Sequence, residues 1–184
     1  MTYLEIPIPN RSEHLWRYTP WKKIHPTKVD AIPEIKPATV MVNGKLSKSN
    51  SIAEMPKSEE ISRVFLIESN NTRHSITIGN ETEEYEINVK CESEMESCHL
   101  HFDVQSSGNV CLSLSGKSSW FGLSITAVLQ KNVTFSFAIV NDLNEKCTFV
   151  RCEDWDILRD SSLEYAELST GANRIKSDIR TYLK

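Results

Sequence analysis

His99, His101 and Asp103 fall on one face of a single extended segment, because side chains alternate along a strand with a period of two. Two imidazoles at i and i+2 with a carboxylate at i+4 can ligate one zinc or iron ion. On an exposed strand the same His-x-His-x-Asp pattern is ordinary polar decoration, and both readings stand at this level. Cys98 lies on the opposite, apolar face with Leu100, Phe102 and Val104, where a thiol packs as a small hydrophobe. Structural zinc pairs usually enclose two to four residues. Cys91 and Cys98 are seven apart and Cys147 and Cys152 five apart, so neither pair fits. The odd separation also puts Cys147 and Cys152 on opposite faces of any straight strand. Core packing is expected for Cys98 and Cys147, whereas Cys111 alternates with Ser113 and Ser115 and reads as a solvent-facing thiol.

Two further groups of residues carry potential chemistry. Glu153, Asp154, Asp156, Asp160, Glu164 and Glu167 form an acidic run around Trp155. Paired carboxylates serve glycoside hydrolysis, although such a run is also a common solvated loop. Trp16, Arg17, Tyr18 and Trp21 could form an aromatic–cation surface for a partner, or staple the N-terminal region onto the core. Packing is the favoured role. Gly-rich phosphate loops and Gly-x-Ser-x-Gly are missing from the sequence, and no catalytic residue is assigned.

The elements that must position these residues differ along the chain. Residues 1–38 are rich in proline and aromatic residues, which forbids long regular elements. Ser12–Trp16 is the best helical candidate there, with Ser12 as its cap. Residues 39–60 hold Val40–Leu46, two short strands around an Asn-Gly turn, and a polar connector, Ser47–Glu60. From residue 61 to 184 the apolar period is two, beginning with the buried run Val64–Ile67. Alternating segments recur roughly every 10–14 residues, and convincing helical periodicity is absent. The chain is therefore expected to be all-β. Because few connectors are two-residue hairpin turns, a solenoid with corners is favoured over a sandwich.

Composition bounds the class. The chain has 184 residues, 39% hydrophobic and 25% charged, which suits a folded core. The formal net charge of -4 excludes a strongly basic nucleic-acid binder. No run approaches the roughly 18 apolar residues of a membrane span, and the N-terminus does not read as a signal peptide. An odd count of five cysteines argues against a secreted disulfide framework. A cytoplasmic protein with reduced thiols is expected. The Asn-x-Ser/Thr triplets at Asn10, Asn70, Asn80 and Asn132 then read as chance matches.

Three short strings carry a family resemblance. Glu13-His-Leu-Trp-Arg-Tyr-Thr-Pro20 resembles the N-terminal Trp-Arg/Lys-Tyr-Thr element of the SufB/SufD family, the subunits of an iron–sulfur cluster assembly machinery. Val40-Met-Val-Asn-Gly44 resembles the element that precedes the family's core. Asn173-Arg-Ile-Lys-Ser-Asp178 resembles a basic, alternating stretch midway along that core. Their order and spacing also agree with the family.

The resemblance implies a right-handed parallel β-helix behind a small N-terminal region. It implies pairing with a SufB/SufD-like subunit or with itself through the β-helix. A SufC-like ATPase would dock on a helical C-terminal region, and the nascent cluster would sit on cysteine, glutamate and histidine side chains late in the core. The chain ends at Lys184, before both, so it reads as the first half of a family member and those residues are not carried over. An uncapped solenoid end is expected to self-associate. No resident cofactor is expected, although a transient iron–sulfur cluster or iron could pass through the full assembly. Cys111 and Cys152, as polar-face thiols, are the candidates to hold persulfide or iron. The expected function is a non-catalytic scaffold subunit. The alternatives are a metal-binding module or metalloenzyme on His99, His101 and Asp103, and a carbohydrate-acting solenoid.

Overall fold

The computed structural model describes residues 2–52, 58–79 and 84–184. Its core is a parallel β-solenoid of about four turns. One sheet is built from β5 (Thr72–Ile78), β7 (Met95–Val104), β9 (Trp120–Leu129), β11 (Thr148–Ile157) and β13 (Arg174–Leu183). The other holds β6 (Glu84–Cys91), β8 (Gly108–Gly116), β10 (Thr134–Leu143) and β12 (Ser162–Ser169). Every neighbouring pair within these two sets is parallel. Met95, Trp120, Thr148 and Arg174 stack in one register column, 25, 28 and 26 residues apart, so one turn consumes two strands and two corners.

The period of two sends alternate side chains inside. Phe102, Ala127 and Trp155 form one stacked column, and Val110, Phe137 and Tyr165 another. Leu100, Phe102, Leu112, Ile125, Phe135 and Trp155 are all at most 1% exposed. Parallel strands buried against each other need corners rather than hairpins. Gly116 makes one of them at a φ of +132°, and its Cα lies so close to Cys91 that any Cβ would meet that residue's backbone.

The entrance to the solenoid is mixed. β1 (Lys36–Pro37) pairs with β7 in parallel, while β2 (Thr39–Val42) pairs antiparallel with β3 (Lys45–Leu46) and with β6. Asn43 and Gly44 take φ of 48° and 74°, as the Asn-Gly turn requires. β4 (Asn50–Ser51) pairs with β5. Parts of the expected connectors, residues 53–57 and 80–83, lie outside the described residues, and the Asn80 triplet begins there.

Two sequence expectations need correction. Val64–Ile67, expected as an extended run, belongs to an α-helix, Ile61–Ser69; after α1 (Trp21–Ile24) it is α2. The Glu60 side chain accepts from the backbone N–H groups of Ser62 and Arg63 and starts the helix. Residues 61–67 are all buried, so no polar stripe reveals a helical period. The expected helix Ser12–Trp16 shrinks to one 3-10 turn, His14–Trp16, while a second, Tyr3–Glu5, lies upstream. Ser12 does not cap the turn, whose N-cap position is Glu13 and which has no side-chain cap hydrogen bond.

α2 and the N-terminal region form a second core against the outer face of the odd-numbered sheet. Tyr3, Trp16, Trp21, Ile24, Phe65, Trp120 and Val150 are buried together. Trp21 and Phe65 meet edge to face at 5.3 Å, and Trp120 Nε1 donates to the Ile24 carbonyl at 2.8 Å. Gly122 lets the helix approach, since a Cβ there would collide with Leu66 and lie 2.7 Å from Trp120. Among the described residues no helix is long and apolar enough to cross a membrane.

Candidate functional site

The last turn is where the solenoid's regularity leaves chemistry exposed. Among the described residues β12 pairs only with β10 and β13 only with β11, so each presents an open edge. Ile175, Ser177, Ile179, Thr181 and Leu183 continue the inward columns of Phe149, Arg151, Glu153, Trp155 and Ile157. The earlier members of those columns are buried, but Ile175 is 37% exposed, Ile179 42% and Leu183 83%. These side chains have the character of core residues, and among the described residues no strand pairs beyond them.

Beneath them the core changes from apolar to charged. Arg151 and Glu153 point inward at 1% and 0% exposure. Glu153 accepts from Trp155 Nε1 at 2.7 Å and from the Tyr165 hydroxyl at 2.9 Å. Burial pushes the Glu153 carboxyl up, and the neighbouring Arg151 guanidinium opposes that shift. Arg151 Nη1 is buried without a hydrogen-bond partner.

The His-x-His-x-Asp residues share a face, as expected, but their polar atoms are engaged separately. His99 lies under α2, 4% exposed, and its Nε2 donates to the Leu66 carbonyl at 3.0 Å. Burial lowers its pKa to about 4. His101 Nδ1 sits 2.8 Å from Thr126 Oγ1, and Asp103 accepts from the amides of Gln105 and Gln130 at 2.7 and 3.2 Å. Among the described residues no group of three or more His, Cys, Asp or Glu side chains is placed to hold a metal ion.

All five cysteines are free thiols. Cys98 and Cys147 face the inner core and Cys152 the outer one, which separates Cys147 from Cys152 as their spacing requires. Cys152 is covered by α2, 3.3 Å from Ser62 Oγ, and burial raises its pKa to about 12, so it stays a thiol at neutral pH. Cys111 is exposed on the outer face of the even-numbered sheet, in a groove of about 830 Å3.

Trp16 and Trp21 are buried at 3% and 0%, whereas Tyr18 is 87% exposed; the two tryptophans therefore staple the N-terminal region down. The acidic run divides between faces. Glu153 and Glu167 turn inward toward Arg151. Asp154 and Asp156 line an outer groove, where Arg63 and Lys184 hold them. Asp160 pairs with Arg159, and Glu164 accepts from Ser136. The interior ion pair and the Arg63 bridge from α2 to Asp154 and Asp178 were not anticipated. Arg151 was signalled by strand parity with Phe149 and Trp155. The Arg63 bridge, spanning 91 and 115 residues of sequence, had no local signal.

The chain matches no protein-family model, no curated protein and no solved structure in the comparisons made.

Proposed function

We propose that this chain is a non-catalytic scaffold subunit of iron–sulfur cluster assembly, of the SufB/SufD type, which assembles through the open end of its β-solenoid. One observation carries the reading: core-type side chains Ile175, Ile179 and Leu183 stand exposed on a strand edge that no other strand pairs among the described residues. Such an edge is a template for another strand. The sequence of β13 is complementary to itself. Antiparallel pairing centred on Ile179 sets Ile175 opposite Leu183, Ser177 opposite Thr181 and Asp178 opposite Arg180. Apolar residues then meet apolar residues, and opposite charges meet across the strands. Inward positions pair only with inward positions, so both cores stay in register. A SufB- or SufD-like subunit with a similar terminal strand would dock in the same way. The three SufB/SufD-like strings support the assignment to cluster assembly. The reading assigns no catalytic residue and no resident cofactor.

Titration of the purified chain with a full-length SufB-like subunit tests the reading. The expected result is a Kd of about 1 µM or tighter, weakened at least about tenfold by Ile179→Lys. No association at about 10 µM contradicts it.

A further inference from the structure

The outer face of the odd-numbered sheet carries a groove of about 380 Å3 beside α2. Its floor is a ladder. In-register pairing stacks His101, Thr126, Asp154 and Arg180, one per strand and about 4.8 Å apart, and the column continues to Ser75 outside the lining. The two ends of this groove differ in chemistry. At the end nearer the terminal turn the charges are spent. Asp154 is held by Arg63 and by the Tyr182 hydroxyl, Asp156 by Lys184, and Arg180 by Asp178.

At the other end, Arg73 and Ser124 have no side-chain hydrogen-bond acceptor among the described residues. Arg73 is half-buried and has no ion-pair partner among the described residues. Its charge adds to burial in holding the pKa of His101 low. His101 is therefore neutral near pH 7. Nδ1 lies 2.8 Å from the Thr126 hydroxyl, a contact that accommodates the tautomer whose proton is on Nε2. Ser124 supplies a hydroxyl one strand away. Asp103, two residues beyond His101, does not line the groove, and its oxygens accept from Gln105 and Gln130.

We propose that this end of the groove binds a small oxyanion of the phosphate class through Arg73, His101 Nε2 and Ser124. A guanidinium presents a planar fork that matches two oxygens of a tetrahedral anion, and charge-assisted hydrogen bonds are the strong ones. Arg73 lies two residues before Ser75, the partner of His101. Strand spacing and rise put the Arg73 and His101 Cα atoms roughly 8 Å apart, a span that two long side chains close around one anion. Thr126 acts as a positioning residue by fixing the imidazole tautomer.

The test is titration of the labelled chain with inorganic phosphate, followed by backbone amide chemical shifts in low-salt buffer. Saturable shifts at β5, β7 and β9 are expected, with a Kd of about 1 mM. Arg73→Ala weakens binding at least about tenfold, and the near-isosteric Thr126→Val about threefold, while Lys117→Ala, on an exposed corner, leaves it unchanged. A parallel titration with AMP separates sources. Affinity equal to that of phosphate assigns the site to the anion itself, and tighter binding assigns it to a phosphoester. Absence of saturable shifts at about 10 mM, or an equal loss in Lys117→Ala and Arg73→Ala, overturns the proposal.

Discussion

Arg151 Nη2 and Glu167 Oε2 meet at 2.7 Å across the inside of the solenoid, joining β11 to β12 within one turn. The same guanidinium lies 3.2 Å from Glu153 Oε1. The columns below are Leu123 and Ile125, so the network stands where the sequence would otherwise continue an aliphatic core. A buried ion pair contributes little net stability over apolar packing, but breaking it strands a charge.

Arg151→Met therefore costs more than its change in volume suggests. It leaves Glu153 buried beside Trp155 and Tyr165 without a counter-ion. The expected loss is about 3–5 kcal/mol in urea unfolding, and a second change, Glu153→Gln, restores much of it. A loss below about 1 kcal/mol would show that water reaches this site.

His99 sets an acid limit on stability. Its imidazole is held neutral under α2, with a pKa of about 4 against an ordinary 6.5. Between those values the unfolded chain binds the extra proton and the folded chain does not. Stability from this group is full above pH 6.5 and is lost as pH falls through 4. The ceiling is about 3 kcal/mol. Unfolding free energies of the parent and His99→Gln, compared from pH 7 to 4, should converge toward low pH; a constant difference contradicts the assignment.

Thiol reactivity should separate one cysteine from four. Burial raises the pKa of Cys91, Cys98, Cys147 and Cys152, and all four are covered. Iodoacetamide at pH 7.5 under folding conditions should add one label, mapped by mass spectrometry to Cys111, and five after denaturation. Rapid labelling of Cys152 would mean that α2 leaves the sheet.

The strands were legible because two-residue alternation survives wherever one face is buried. Cys98–Val104 and Val110–Leu114 showed the inward columns directly, and the scarcity of two-residue hairpin turns favoured corners over hairpins. The Asn43-Gly44 turn was legible from backbone chemistry alone. α2 was not, because the N-terminal layer covers one side of it and the sheet the other. With every residue from Ile61 to Ile67 buried, neither period appears. Its β-branched Ile61, Val64 and Ile67 point away from a helix as well. The candidate site was legible in part. Ile175, Ile179 and Leu183 announced a shared face, but it is the pairing of β13 with β11 alone, among the described residues, that gives that face a role. His99, His101 and Asp103 were placed on one face correctly. Of their partners, Gln105 lies two residues beyond Asp103, but Leu66 comes from α2, Thr126 from β9 and Gln130 from the residue after β9, which local spacing cannot show.

The terminal strand is the decisive element, and sedimentation equilibrium reads it most directly. Between about 1 and 100 µM the parent chain should show a concentration-dependent monomer–dimer equilibrium. Ile179→Lys, which opposes two ammonium groups at the centre of the paired strands, should stay monomeric over that range with an unchanged circular dichroism spectrum. A parent that is monomeric throughout, or an Ile179→Lys variant that dimerises as the parent does, would contradict assembly through this edge.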